Sequence, residues 1–249
     1  MLPDSFLARP IAHRALHDVT QGRPENSRDA IRAAIEAGYG IEIDLQLSSD
    51  DQPMVFHDYA LQRLTPETGA VRQRSAADLS TIPLLGGDET IPSFAEVLDL
   101  VAGRVPLLVE IKDQDGQMGP DIGPLEQATA DALAGYDGDV ALMSFNPHSM
   151  AEMARLCPDL PRGLTTCGYP PEDWPTLKPE TRDHLRRIPD FDRVGACFVS
   201  HNHHHLNAPA IQRLHGDGVP ILCWTIRTPE DEAQARKVAD NITFEGYPA

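Results

Sequence analysis

The chain has 249 residues, 41% hydrophobic and 24% charged, which suits one large α/β domain or two small ones with a core that needs no covalent staples. Its net charge of -17 argues against nucleic acid or an anionic membrane surface as the main partner, so an anionic ligand must be held by local positive charge. Cys157, Cys167, Cys197 and Cys223 form no CxxC pattern, no run of about 18 apolar residues is present, and no signal-peptide pattern opens the chain, so the expected address is the cytoplasm, without stable membrane association.

In chain order, apolar runs that read as strands cover residues 10–13, 40–47, 105–112, 140–145, 162–166, 195–200, 219–226 and 241–244. Amphipathic helices are predicted over 27–37, 93–101, 125–134, 149–156, 208–215 and 229–238. Asn26 is the expected N-cap of the first, Ser93 with Glu96 forms a capping box at the second, and Thr228-Pro229 opens the last. Eight strands alternating with helices predict a (β/α)8 TIM barrel spanning residues 1–249 as a single domain. The stretch 58–92, after an extra strand-like piece at 54–56, is too long for a simple loop and is expected to be a small insertion after the second strand. Residues 168–192 are expected to form a loop with one short helix.

Charged residues crowd the strand ends. Glu42-Ile43-Asp44 closes one apolar run and Glu110-Ile111-Lys112 another. Residues two apart on a strand share a face, so each couplet aims two charges the same way. Buried charges placed like this meet a metal, a partner or a substrate. His13 and His57 bracket the first couplet, and the set points to a metal-assisted site for an anionic substrate.

The ordered motifs AHR at 12–14, PEN at 24–26, EID at 42–44, FHD at 56–58, EIK at 110–112, SF at 144–145 and WT at 224–225 resemble the glycerophosphodiester phosphodiesterase family over almost the whole chain. The resemblance implies a barrel with an insertion after the second strand. It also implies cleavage of a small glycerophosphodiester to glycerol 3-phosphate and an alcohol, with one divalent cation, Mg²⁺ or Ca²⁺.

In those roles, Glu42, Asp44 and Glu110 supply hard oxygen ligands. Arg14 and Lys112 hold phosphate oxygens. His13 acts as base and His57 as acid to the leaving alcohol. Glu25 orients His13 or joins the metal shell, while Phe145 and Trp224 wall the glycerol carbons. Within that resemblance, Ala15 stands where glycine usually follows HR, Met143 where glutamine is common, and Glu245 where the last strand usually ends in an aspartate. The histidines at 201 and 203–205 read as a polar loop at the barrel mouth, with one member touching substrate. Two other functions fit the pattern: a lysophospholipase D-like hydrolase of another phosphodiester, and a catalytically silent phosphodiester-binding barrel.

Overall fold

A computed structural model describes residues 1–249. The elements run α1 (Ser5–Ala8), β1 (Ile11–Ala12), α2 (Arg28–Ala37), β2 (Gly40–Leu47), β3 (Pro53–Val55), α3 (Ala76–Leu79), α4 (Phe94–Val101), β4 (Leu107–Ile111) and α5 (Pro124–Leu133). They continue with β5 (Val140–Ser144), α6 (Pro147–Leu156), β6 (Arg162–Thr166), α7 (Pro179–Arg186), β7 (Phe198–Asn202), α8 (Pro209–Gly216), β8 (Ile221–Ile226), α9 (Pro229–Ala235) and β9 (Asn241–Phe244). The sheet order is β1-β9-β8-β7-β6-β5-β4-β2-β3, and β1 also pairs with β2. That pairing closes eight parallel strands into the expected barrel. Only β3 is antiparallel, folding back on the end of β2 with Leu45 opposite Val55.

Alternation along each strand divides the side chains between two cores. The outer faces of the strands and the inner faces of the helices form one apolar cluster that includes Ile41, Ile43, Val109, Leu142, Val199 and Ile242. Inside the barrel, Ile11, Leu108, Ala141, Met143, Phe198 and Leu222 pack with Leu2 and Phe6. The interior is therefore plugged at its lower end. Asn241 Nδ2 ties that plug down, donating to the carbonyls of Phe6 at 2.7 Å and Arg9 at 2.6 Å. Gly163 is required here, because a Cβ at that position would lie 2.5 Å from the Phe198 ring.

Helix ends follow the sequence closely. The Ser93–Glu96 capping box opens α4, and Thr228 caps α9 with Pro229 as its first residue. The cap of α2 falls one residue later than expected: Ser27 accepts from the Ala30 amide. Asn26 instead sits in the left-handed region at φ 59 and donates to Asp44. Asparagine tolerates that backbone well, which frees its side chain to turn into the barrel mouth.

The strand expected at 195–200 runs from Phe198 to Asn202, so His201 and Asn202 belong to the sheet and not to the following loop. Residues 58–92 carry two 3-10 turns and α3 around a small apolar cluster in which Leu61, Val71, Leu79 and Ile91 pack with Met54 and Phe56 from the preceding segment. Residues 168–192 hold one short helix, α7. No helix is long and apolar enough to cross a membrane.

Candidate active site

Parallel register assembles the central acid cluster. Asp44 stands opposite Glu110 on adjacent strands, and Glu42 lies two residues before Asp44 on the same inward face. The three carboxylates are buried and their oxygens lie within 4.8 Å of one another. Burial, with Asp44 and Glu110 beside it, pushes the Glu42 carboxyl well above the usual carboxylate range. For Asp44 burial acts in the same direction, but Lys112, His57 and Arg14 outweigh it and hold the group below its ordinary value.

Lys112 Nζ lies 2.8 Å from Asp44 and 2.5 Å from Glu110. One ammonium therefore serves two of the three acids, and Glu42 has no side-chain cation in contact. Its oxygen accepts from the backbone amide of Arg14 at 2.8 Å. Three hard oxygens with surplus negative charge fit a divalent cation. His13, His17 and Glu245 form a second group whose atoms are close enough to bind a metal.

The segment after β1 supplies the next residues. Arg14 and Ala15 both take left-handed backbone, at φ 52 and φ 64, and Ala15 N donates to the Glu42 carbonyl at 3.0 Å. This turn brings the Arg14 side chain over the acids, with Nε 3.7 Å from Asp44. Nε has no hydrogen-bond partner although it is buried. Left-handed backbone at position 15 is the conformation that glycine adopts without strain.

Each histidine is held by its own carboxylate. His13 Nδ1 lies 2.5 Å from Glu245 Oε2, so Nδ1 carries the proton and Nε2 is the free nitrogen. Burial lowers the His13 pKa to about 4 despite Glu245, which leaves the ring neutral at neutral pH. Arg227 Nε donates to the other Glu245 oxygen at 2.8 Å, and His17 approaches Oε2 at 3.5 Å. His57 Nδ1 lies 2.7 Å from Asp58, which Arg63 holds from its far side at 2.6 Å.

Glu25 does not touch His13. It accepts from Arg14 at 2.9 Å and from Arg63 at 2.8 Å, linking the two arginines. The orienting role considered for Glu25 belongs to Glu245 by contact. The signal for this was the position of Glu245, directly after β9 and beside the strand end that carries His13.

A cavity of about 280 Å³ gathers these groups. His13, Arg14, Glu42, Asp44, His57, Glu110, Lys112, Phe145 and Trp224 all line it, and Glu25 and Glu245 stand behind it. Phe145 and Trp224 meet edge to face at 5.6 Å, and Phe145 also packs on Trp174 at 5.0 Å, so it belongs both to the wall and to the neighbouring apolar cluster. The histidine run splits. His203 and His204 line the cavity with ring centres 3.9 Å apart, while His201 is buried against Thr166 Oγ1 at 2.7 Å. Sequence reading did not single out Thr165, Ser200, Asn202 or Thr243, which also line the cavity.

Known proteins share this arrangement of chain and fold. A glycerophosphodiester phosphodiesterase of Caldanaerobacter subterraneus is 28% identical over 232 residues, covering 89% of this chain and 86% of its own. A phosphodiesterase from Oleispira antarctica, solved with its product sn-glycerol 3-phosphate, superposes with a TM-score of 0.77 at 23% identity, over 98% of this chain and 95% of its own. A glycerophosphodiester phosphodiesterase from Parabacteroides distasonis gives 0.75 at 20% identity, over 95% and 94%. The family model for the glycerophosphoryl diester phosphodiesterases matches residues 13–241, which takes in every residue lining the cavity except Thr243. With that match over most of its length, and the barrel it requires, the chain belongs to the glycerophosphoryl diester phosphodiesterase family.

Proposed function

We propose that the protein hydrolyses glycerophosphodiesters to glycerol 3-phosphate and an alcohol. The observation that carries this reading is one cavity lined by two carboxylate-held histidines, Arg14, Lys112 and the acid cluster. Arg14 and Lys112 hold the phosphate oxygens, the first by its fork and the second as a point charge. Neutral His13, with Nε2 free, takes the proton of the attacking oxygen, which is either water or the glycerol hydroxyl beside the phosphate; the second route expels the alcohol to leave a cyclic phosphate, which water then opens to glycerol 3-phosphate. His57, whose proton on Nδ1 is held by Asp58, gives a proton from its other nitrogen to the departing alcohol. Glu245 and Asp58 fix the two rings; Glu25 steadies Arg14 through its bridge to Arg63. Phe145 and Trp224 lie against substrate carbons.

Glu42, Asp44 and Glu110 would hold one divalent cation, Mg²⁺ or Ca²⁺. Its chemistry when bound is neutralisation of charge growing on the phosphoryl group. We take residues 1–249 as one catalytic domain with 58–92 as an insertion, and a cytoplasmic location on the strength of four free cysteines. Only Met143, Phe145 and Trp224 make the cavity lining apolar, which disfavours a lysophospholipid acyl chain.

The test is release of glycerol 3-phosphate from glycerophosphocholine, glycerophosphoethanolamine and glycerophosphoglycerol with Mg²⁺, Ca²⁺ or EDTA, beside a His57→Ala control. Metal-dependent release that the control loses supports the assignment. Metal binding without release from any diester moves the protein to the silent, phosphodiester-binding reading.

A further inference from the structure

We propose that the cavity wall facing the acid cluster is a subsite for a small uncharged polyol, so that the favoured substrate carries a polyhydroxy alcohol as its leaving half. This rests on the hydrolytic function proposed above and names the substrate within it.

Two hydroxyls, on β6 and β7, define that wall, and a third lies beyond β8 on β9. Thr165 on β6, Ser200 on β7 and Thr243 on β9 line the cavity, and they are 1%, 0% and 1% exposed. None of the three Oγ atoms has a hydrogen-bond partner. A buried hydroxyl left unpaired is costly, so the adjacent pair on β6 and β7, with the third on β9, calls for a ligand or water that satisfies it. A hydroxyl both donates and accepts, which makes it complementary to another hydroxyl. Thr165 stands opposite Ser200 in register, so two of the three project side by side from neighbouring strands. That spacing suits a chain whose successive carbons each bear oxygen.

Charge excludes the other common alcohols. The acids of the cavity, Glu42, Asp44 and Glu110, sit on β2 and β4, across the barrel from β6 and β7. The hydroxyl wall contributes no carboxylate. Its rim carries His203, His204 and Arg227 instead. Glu245, which follows β9, is already taken by His13 and Arg227. An ammonium head group would find no carboxylate among the side chains that line that wall, and Asp231, which lies outside the lining, interacts with His203. Nor is there an open aromatic cage for it: Phe145 is packed by Trp174 on one side and Trp224 on another, and Trp224 Nε1 donates to the Ser200 carbonyl at 3.1 Å.

The experiment compares kcat/KM for glycerophosphoglycerol, glycerophosphocholine and glycerophosphoethanolamine in the wild type and in a Thr165→Val, Ser200→Ala double variant. The glycerol diester is expected to lead by about 10-fold, the scale of one or two hydrogen bonds, and the double variant to bring the ratio close to one. Thr165→Ser keeps the hydroxyl and must keep the preference, which separates loss of the subsite from loss of folding. A choline or ethanolamine diester equal to or ahead of the glycerol diester overturns the proposal. So does a double variant that slows all three by one factor, since that gives the hydroxyls to the glycerol half common to every substrate. If the wild type turns over none, the hydrolytic function fails. Calorimetric binding of the same three intact diesters, with Ca²⁺ present, then reads the preference without turnover, and equal affinities refute the subsite.

Discussion

Glu245 Oε2 lies 2.5 Å from His13 Nδ1, while Arg227 binds the opposite oxygen of the same carboxylate. The last strand of the barrel thus fixes the ring that follows the first, across the seam where β9 meets β1. Holding Nδ1 as the donor leaves Nε2 aimed at its task as base, so the carboxylate acts through tautomer and orientation. Glu245→Gln keeps the size of the side chain but weakens this control. We expect kcat to fall about 100-fold, at the low end for loss of acid–base catalysis, with KM changed less than threefold. Steady-state kinetics that show a rise in KM and an unchanged kcat would contradict the positioning role.

The acid cluster predicts a response to metal that does not depend on turnover. Glu42, Asp44 and Glu110 hold surplus negative charge, and Lys112 compensates only part of it. A ligand that binds the folded state alone stabilises it, by about 2.7 kcal/mol at 100 times its dissociation constant. Mg²⁺ or Ca²⁺ at millimolar concentration is therefore expected to raise the melting temperature by several degrees. Glu42→Gln should abolish most of that rise, and calorimetric titration of the variant should show weakened binding. Equal stabilisation of variant and wild type would remove Glu42 from the metal shell.

Much of this architecture is legible in the sequence because strand and helix periods are local. β2 (Gly40–Leu47) and β6 (Arg162–Thr166) fall where the apolar runs place them, and so do the caps at Ser93 and Thr228. The cavity collects His13, His57, Glu42, Asp44, Glu110 and Lys112 because those residues sit at strand ends, a position that sequence reveals. What sequence hides is pairing between distant segments. Glu25 and Glu245 are both acids near loops, and only closure of the barrel decides which one meets His13. Thr165, Ser200 and Thr243 are ordinary strand residues until the register turns them inward. The apolar run at 195–200 begins ahead of β7, because Gly195 and Ala196 extend its pattern although Gly195 takes φ 61 and lies outside the sheet.

Ala15 predicts a gain. Its backbone is left-handed at φ 64, it is buried, and its amide is committed to Glu42. A non-glycine residue in that region costs about 1–2 kcal/mol, and glycine avoids the cost at the expense of about 0.5–1 kcal/mol in unfolded-chain entropy. Ala15→Gly is therefore expected to stabilise the fold by up to about 1 kcal/mol. Denaturant titration should move its midpoint upward with an unchanged slope. A lower midpoint would mean that the Ala15 methyl contributes more to packing than its backbone costs.

His201 predicts how stability depends on pH. It is 2% exposed, bonded through Nδ1 to Thr166, and its Nε2 has no partner. Burial lowers its pKa from 6.5 to about 4. The unfolded chain therefore takes up a proton near pH 6.5, whereas the folded chain does not until about pH 4. The contribution of this group to stability is complete above pH 6.5 and is lost as pH falls toward 4. A difference of this size corresponds to about 3 kcal/mol. His13 is lowered to about 4 as well and adds to the same slope, but it stands in the catalytic cavity, so His201 is the cleaner probe. His201→Gln should flatten the fall in unfolding free energy between pH 7 and pH 4.5, measured by urea titration at several pH values. The variant will be less stable than wild type at pH 7 if the bond to Thr166 is weakened, so the slope and not the absolute value is the quantity to read. An unchanged slope would show that His201 takes up its proton in the folded state at an ordinary pH.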